Sequence, residues 1–277
     1  MAFPPPKIQD PRTEHTHTAI LLHGRGSDGP EFAEDFLSSI TSQQKSLTES
    51  LPNWRWVFPS SRTRHSTVFK EEMCTWFDAS SLDDIQKDQE LQIEGLRESV
   101  HYILNTLEAE IKLLDGRSDR VFLGGISQGM AISLWALLCA PGRITAPLGG
   151  LLGFCGWLPF AHQVEHLVRR PGAQLDSIHR KRLVSEFFRD TIADSTSRPE
   201  RDAYDLSVLN TPAFLSHGLD DPHVSITLGR QAARVLQEID IQVEVQEFTG
   251  ADADGHWIKE PEGFDHILRF IERHCEQ

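Results

Sequence analysis

The stretch that decides the fold runs Val121-Phe122-Leu123-Gly124-Gly125-Ile126-Ser127-Gln128-Gly129-Met130. Its first three residues predict a short strand buried on both faces, and residues 131–138 predict a helix that is apolar almost all round. Between them, residues 125–129 fit the pattern Gly-x-Ser-x-Gly, in which the glycines allow a tight bend that projects the serine hydroxyl. The helix that follows would direct backbone N–H groups toward developing negative charge. The pattern predicts a nucleophilic serine at a strand-to-helix turn; the alternative is a glycine-rich turn that holds an ordinary serine.

Composition and charge exclude several classes of protein. The chain has 277 residues, of which 39% are hydrophobic, so it is long and apolar enough for one large α/β domain. A formal net charge of −14 argues against nucleic-acid binding and against general adsorption to anionic membranes. No apolar run approaches the roughly 18 residues of a membrane span, and no secretory signal is visible. The cysteines, Cys74, Cys139, Cys155 and Cys275, form no metal-binding or redox motif, so a cytoplasmic protein without a metal site is expected.

Predicted strands and helices alternate along the chain. Buried strands are expected at residues 18–22, 54–58, 121–123, 148–154, 211–216 and 241–248. Helices are expected from about Pro30 and at residues 81–114, 131–138, 226–236 and 261–275. This alternation predicts a mostly parallel central sheet with helices on both faces.

Residues from about 160 to 207 differ in character from the rest of the chain. They are charged and carry apolar residues at helical spacing, which predicts one or two surface helices inserted between elements of the sheet. We interpret the chain as a single domain over residues 1–277, with an insertion at about 160–207 that is either a lid or a packed excursion without a gating role. The insertion contains a basic cluster formed by Arg169-Arg170 and residues 179–182, a pattern that is most often a solvated helix face.

Four loops are expected at the edge of the sheet where ligands bind, beyond the carboxyl ends of the strands. Three of them supply Ser127, Asp221 and His256, in the chain order serine, acid, histidine. A serine hydroxyl needs a base to take its proton as it attacks, and His256 lies in a polar loop late in the chain. Asp221 would hold the imidazole in the required tautomer, with Asp220 as the alternative acid.

The fourth loop follows the first buried strand and contains Arg25. Its backbone N–H and that of Gln128, the residue after the nucleophile, are the expected donors to an oxyanion. Two other histidines, His23 and His217, each precede a glycine at the end of a strand and are interpreted as structural.

Five motifs occur in one order along the chain: Leu22-His23-Gly24-x-Gly26 with Asp28, Trp76-Phe77-Asp78, Gly125-x-Ser127-Gln128-Gly129, His217-Gly218-x-x-Asp221-Pro222-x-Val224, and Gly255-His256. In this the chain resembles the acyl-protein thioesterases and the related carboxylesterases and lysophospholipases, from about residue 18 to the end. The resemblance implies the α/β-hydrolase fold, triad roles for Ser127, Asp221 and His256, and oxyanion donors at Arg25 and Gln128. It also implies that neither a metal nor an organic cofactor is used, and that the substrates are carboxylic esters or thioesters of apolar acyl chains.

The chain departs from that family at several places. Arg25 stands where members usually carry an apolar residue, Met130 stands where they carry a small one, and the insertion is longer than usual. Arg25 would either narrow the acyl entrance or favour an anionic or phosphate-bearing substrate. One alternative function is therefore a thiohydrolase or cyclase that releases a polyketide or fatty acyl chain from an acyl carrier protein, by hydrolysis or lactonisation. The basic cluster would then contact the acidic carrier.

The leading hypothesis is a serine esterase or thioesterase that works through an acyl-enzyme intermediate. The candidate acyl-binding side chains are Trp76, Phe77, Trp157 and Leu158, each of which could equally belong to the core. A catalytically silent binding module on the same fold is the remaining alternative, although no triad position is visibly lost.

Overall fold

The protein is built around a mostly parallel sheet. The computed structural model describes residues 2–81, 84–169, 175–193 and 204–275. Within these ranges the strands are β1 (Lys7–Gln9), β2 (His17–Leu22), β3 (Trp54–Phe58), β4 (Thr63–Ser66), β5 (Glu71–Cys74), β6 (Val121–Ile126), β7 (Gly150–Phe154), β8 (Ala213–Gly218) and β9 (Val243–Phe248). Seven of these form one sheet in the order β1-β3-β2-β6-β7-β8-β9, in which only β1 is antiparallel to its neighbour. Strands β4 and β5 pair as a separate antiparallel hairpin.

Helices cover both faces of the sheet. Their bounds are α1 (Gly29–Ser38), α2 (Leu47–Ser50), α3 (Glu90–Leu113), α4 (Gln128–Cys139), α5 (Ala161–Val168), α6 (Ser177–Ile192), α7 (Ile226–Glu238) and α8 (Glu262–Cys275). Alternate residues of β2 enter different cores: Ile20 belongs to the hydrophobic cluster that includes residues of α3, α4 and α7, whereas Leu21 belongs to the cluster that includes residues of α1 and α8. Because side chains alternate across a strand, one buried strand contributes to both layers of the core.

Three segments differ from the observed elements. The helix expected at 81–114 begins only at Glu90; residues 85–89 form turns, and Asp88 has a φ of +47°. Its apolar periodicity also begins late, since the buried positions of α3 start near Gln92. No strand was predicted before residue 18 or between residues 59 and 81, but these segments contain β1 and the β4–β5 hairpin.

Helix α6 of the inserted segment packs against α4. Every residue of α4 is buried, and the Phe188 ring of α6 meets the Trp135 ring of α4 edge-on, with centroids 4.5 Å apart. Val184 and Ile192 of α6 are also buried, so one face of this helix belongs to the core. Although α3 is 24 residues long, no helix of the described ranges combines the length and apolar character needed to cross a membrane.

His23 closes the carboxyl end of β2 with two hydrogen bonds. The side chain is fully buried; its Nδ1 is 2.6 Å from the Gly24 carbonyl oxygen, and its Nε2 accepts a hydrogen bond from the Ser61 N–H at 2.9 Å. A protonated ring could not accept from Ser61, and burial lowers the pKa of His23 to about 4. The folded protein therefore holds a neutral imidazole.

This neutral histidine makes the fold sensitive to acid. In the unfolded chain the His23 pKa returns to about 6.5, so stability is fully present above pH 6.5 and is lost as the pH falls toward 4. Lowering the pH from 7 to 5 should cost about 2 kcal/mol of unfolding free energy through this residue. Urea denaturation of the wild type and of His23→Gln at both pH values measures it, because other titrating groups cancel in the comparison. An equal pH dependence in the two proteins would contradict the prediction.

Candidate active site

Ser127 lies at a strained turn between β6 and α4. Its backbone has φ +55° and ψ −121°, a conformation that costs a serine about 1–3 kcal/mol. The Ser127 N–H donates to the Phe154 carbonyl at 2.9 Å, which ties the turn to β7. A Cβ atom at Gly125 or Gly129 would collide with the Leu22 carbonyl oxygen, so both glycines of the motif are required by the close approach of β2. The bend expected from Gly-x-Ser-x-Gly is therefore present.

Asp221 and His256 are in direct contact. The Asp221 Oδ2 is 2.7 Å from the His256 Nδ1, while its Oδ1 accepts from the backbone N–H groups of His223 and Val224 at 2.8 and 3.0 Å. The adjacent Asp220 instead uses its Oδ2 to accept from the Gly250 N–H at 2.7 Å. Of the two aspartates that the sequence left open, Asp221 is the one that reaches the histidine.

The Asp221 carboxylate stays ionised although its side chain has no exposed surface. Burial alone would raise its pKa, but hydrogen bonds from His217, His256 and the Val224 N–H outweigh burial and hold the pKa well below its usual range. An ionised acceptor at this position requires a proton on the His256 Nδ1. In the neutral imidazole the Nε2 is then free to accept a proton.

A second histidine contacts the same carboxylate. The Nε2 of the buried His217 is 2.8 Å from the Val224 carbonyl oxygen and 3.3 Å from the Asp221 Oδ2. His217 was interpreted as structural from its place before a glycine. It also braces Asp221, a contact that the four-residue spacing of His217 and Asp221 could have suggested.

Ser127 and His256 line a common cleft of about 540 Å³. This volume lies in the range of small-molecule sites. Of the four candidate acyl contacts, Phe77 and Trp157 line the cleft, with their rings edge-on at a centroid distance of 6.0 Å. Trp76 and Leu158 do not line the cleft. Phe77 is as fully buried as Trp76, so it belongs to the cleft wall without exposed surface, whereas Trp157 keeps 6% exposure. The sequence did not identify the other apolar lining residues: Phe32, Phe69, Ala79, Ile85, Ile126, Val224, Leu228 and Trp257.

Both candidate oxyanion donors lie next to Ser127. Gln128 is the first residue of α4, a position whose backbone N–H has no acceptor within the helix. On the other side, a Cβ atom built on Gly24 would be 3.4 Å from the Ser127 Cβ, so the Gly24–Arg25 peptide passes beside the serine. The two N–H groups thus belong to segments that flank the nucleophile.

The Gln128 side chain joins the nucleophile helix to the cleft wall. Its buried Oε1 accepts from the Thr75 hydroxyl at 2.8 Å and from the Trp76 N–H at 3.1 Å. Its Nε2 donates to the Phe77 carbonyl at 2.9 Å. Three hydrogen bonds from one amide therefore fix the segment that places Phe77 in the cleft.

One group in the described ranges has the composition of a metal site. Potential ligand atoms of Cys155, Asp221 and His256 all lie within 4.8 Å of one another. Two of these residues already bond to each other, and burial raises the pKa of the Cys155 thiol to about 12. Metal binding requires a thiolate at this position, which the buried surroundings oppose. The arrangement suits an aspartate–histidine pair better than a metal centre.

The basic cluster of the insertion is largely paired with acidic groups. Arg169 forms an ion pair with Glu238, and the Arg180 guanidinium is 2.9 Å from the Asp240 carboxylate. Arg170, the other residue of this cluster's first pair, lies outside the described residues.

Comparisons of the sequence with known proteins point to one family. The sequence profile of the Phospholipase/Carboxylesterase family matches residues 4–176. Acyl-protein thioesterase 1 of Schizosaccharomyces pombe is 31% identical, over 61% of this chain and 68% of that protein. Carboxylesterase SOBER1 of Arabidopsis thaliana is 28% identical, over 91% of this chain and 86% of that protein.

Solved structures confirm the expected fold class. The crystal structure of Arabidopsis thaliana SOBER1 has a TM-score of 0.64 at 24% identity, and the match covers 94% of this chain and 99% of the SOBER1 chain. The crystal structure of Zea mays acyl-protein thioesterase 2 has a TM-score of 0.63 at 21% identity, covering 97% and 98%. At these identities the likeness concerns the fold: a mostly parallel sheet between two layers of helices.

Proposed function

We propose that this chain, which belongs to the phospholipase/carboxylesterase family of α/β-hydrolases, cleaves acyl esters or thioesters with Ser127 as the nucleophile. One observation carries the proposal. Ser127, on its strained turn, lines the same cleft as His256, and the His256 Nδ1 is 2.7 Å from the ionised Asp221 carboxylate. A nucleophile, a base and an orienting acid are the groups that acyl transfer through a serine requires.

The first half of the reaction forms the acyl-enzyme. The Ser127 Oγ attacks the carbonyl carbon while the His256 Nε2 takes its proton, and Asp221 stabilises the resulting imidazolium. The negative charge that develops on the carbonyl oxygen is met by the backbone N–H groups of Gln128 and Arg25. His256 then returns the proton to the departing alcohol or thiol.

The second half releases the acyl group. Water gives a proton to the His256 Nε2 and attacks the acyl carbon. The bond from that carbon to the Ser127 Oγ then breaks as the Oγ takes the proton from His256, which regenerates Ser127 and yields the carboxylic acid. If a hydroxyl of the acyl chain attacks instead, the same site produces a lactone. The acyl group would lie against Phe77 and Trp157, the apolar pair in the cleft wall.

Release of an acyl chain from a carrier protein is a narrower form of this proposal. Its support from the basic cluster is weak, because Arg169 and Arg180 are paired with acidic groups of the same chain.

A single domain with a fixed insertion is the organisation that we favour, since α6 buries Val184 and Phe188 against the core. The four free cysteines support a cytoplasmic location.

Reaction with a fluorophosphonate probe tests the proposed function. An activated serine attacks phosphorus and keeps the adduct, so we expect one probe per chain by intact mass, with peptide mapping that places it on Ser127. Ser27→Ala is the matched control. Ser27 lines the same cleft, but its hydroxyl donates to the Asp28 carbonyl oxygen at 3.4 Å, so the variant should still be labelled. No adduct on the folded wild type, or an adduct on another residue, would overturn the proposal and favour a binding module.

A further inference from the structure

Arg25 brings a positive charge into the cleft. The Arg25 side chain is half-buried, and its Cζ lies 5.8 Å from the centroid of the Phe69 ring, at the tip of the β4–β5 hairpin. Both residues line the same cleft as Ser127. An arginine packed on an aromatic face has a restricted orientation, because the flat guanidinium stacks on the ring.

This charge has no ion-pair partner among the residues that the structure describes. Burial lowers the pKa of Arg25, and the negative charge of Asp78 only partly opposes this. The two oxygens of Asp78 are used otherwise, since they accept from the Thr67 N–H and hydroxyl and from the Ala79 N–H. A guanidinium remains protonated at neutral pH, so the cleft contains a partly desolvated cation that forms no direct ion pair with a carboxylate of the described residues.

The negative charges of the cleft lie on a different wall. Glu31 and Asp35 belong to α1, and Phe32 of the same helix meets the Trp257 ring edge-on at 5.9 Å. Burial, together with the negative charges of Glu31 and Glu34, raises the pKa of Asp35. An anionic ligand would be repelled from the α1 wall and attracted toward Arg25.

The chemistry determines which part of the substrate meets Arg25. The leaving group must lie within reach of the His256 Nε2, because that nitrogen returns the proton, and Trp257 of the α1 wall is its chain neighbour. The acyl group is assigned to the apolar lining residue Phe77 and its neighbourhood. Phe77 and Ala79 flank Asp78 in the chain, and the charge of Asp78 acts on Arg25, so the guanidinium lies near the part of the cleft assigned to the acyl group.

We infer that the acyl group of the substrate carries a carboxylate a few carbons from the scissile carbonyl. This carboxylate forms a bidentate ion pair with the Arg25 guanidinium. Such a substrate is a half-ester or half-thioester of a short dicarboxylic acid, rather than a long uncharged fatty acyl chain. This inference rests on the proposed function and specifies its substrate class. The planar fork of arginine matches a carboxylate with two parallel hydrogen bonds, which an uncharged acyl terminus cannot form.

Matched thioesters test the inference. N-acetylcysteamine thioesters of succinate, adipate and suberate are compared with the same thioesters carrying a terminal carboxamide, and the released thiol is measured with a colorimetric reagent. For at least one chain length, the wild type should have the higher kcat/KM for the carboxylate. Arg25→Met keeps an unbranched stem against Phe69 and should lower the carboxylate-to-carboxamide ratio by at least about tenfold, with Arg25→Lys between the two.

The control removes an arginine elsewhere. Arg143 is exposed and pairs with Glu108 at 2.7 Å, so Arg143→Met should leave the ratio unchanged. A wild-type preference for the carboxamide at every chain length would overturn the inference, as would an equal loss for both substrates in Arg25→Met. Fluorophosphonate labelling separates the two levels of failure. If the enzyme is labelled and hydrolyses the thioesters that carry a terminal carboxamide, the proposed function stands even though the inference fails. If the enzyme is not labelled, both the proposed function and the inference fail.

Discussion

Replacing Ser127 with alanine is expected to lower kcat/KM for esters and thioesters by about 10⁴- to 10⁶-fold. The substitution removes the Oγ that forms the acyl-enzyme, and the oxyanion donors alone can accelerate attack by water only weakly. Alanine carries the same backbone strain at φ +55° as serine, so the melting temperature should stay within about 2 °C of the wild type. Steady-state kinetics and calorimetry on the same preparation measure both quantities.

The combination of the two measurements is what makes this result informative. Lost activity in a variant that melts normally assigns the loss to chemistry rather than to folding. A variant that keeps most of the wild-type turnover would contradict the nucleophile assignment, whatever its stability.

Replacing Asp221 with asparagine should be the second most damaging change, with kcat lower by about 10³- to 10⁴-fold. Asparagine nearly preserves the shape, but its uncharged amide no longer stabilises the imidazolium or favours the proton on the His256 Nδ1. The pKa of Asp221 is lower in the folded protein than in the unfolded chain, so its ionised carboxylate stabilises the fold at pH values above the unfolded pKa, near 4. This stabilisation is lost as the pH falls from there through the folded pKa. The stability difference between the two proteins should therefore be constant at neutral pH and shrink below about pH 4.

The adjacent aspartate provides the matched control. Asp220 accepts from the Gly250 N–H and does not contact His256 through any hydrogen bond of the described residues, so Asp220→Asn should lower kcat by less than about tenfold. If Asp220→Asn instead proved the more severe variant, the roles of the two aspartates would have to be exchanged.

Much of the fold follows from apolar patterning. Apolar runs such as residues 121–126, and residues 54–58 with Arg55 as their one polar member, indicate buried strands, and the strand at Trp54–Phe58 was predicted with its observed bounds. The family resemblance, the fold class and the expectation of an ester or thioester hydrolase are confirmed by the profile match and the relatives. The β4–β5 hairpin could not be predicted, because both of its strands are polar and most of their residues are exposed or half-buried.

The site was predictable where it depends on topology and not where it depends on side-chain direction. Parallel strands end at one edge, which brings the loops of Asp221 and His256 together. Nothing in the motif Trp76-Phe77 tells which ring enters the cleft; that choice depends on the backbone beyond β5, which sends Trp76 into the core. The position of Arg25 against Phe69 depends on a hairpin that the sequence pattern did not reveal.

The Gln128 amide has an evolutionary consequence. Its oxygen accepts two hydrogen bonds and its nitrogen donates one, and no other side chain of that length offers both. Glutamate would set a carboxylate against the Phe77 carbonyl, and methionine would leave the buried Trp76 N–H without its acceptor. Substitution of the aromatic residues along the cleft can therefore change which acyl groups are accepted, whereas substitution of Gln128 by either a charged or an apolar residue of similar length is disfavoured.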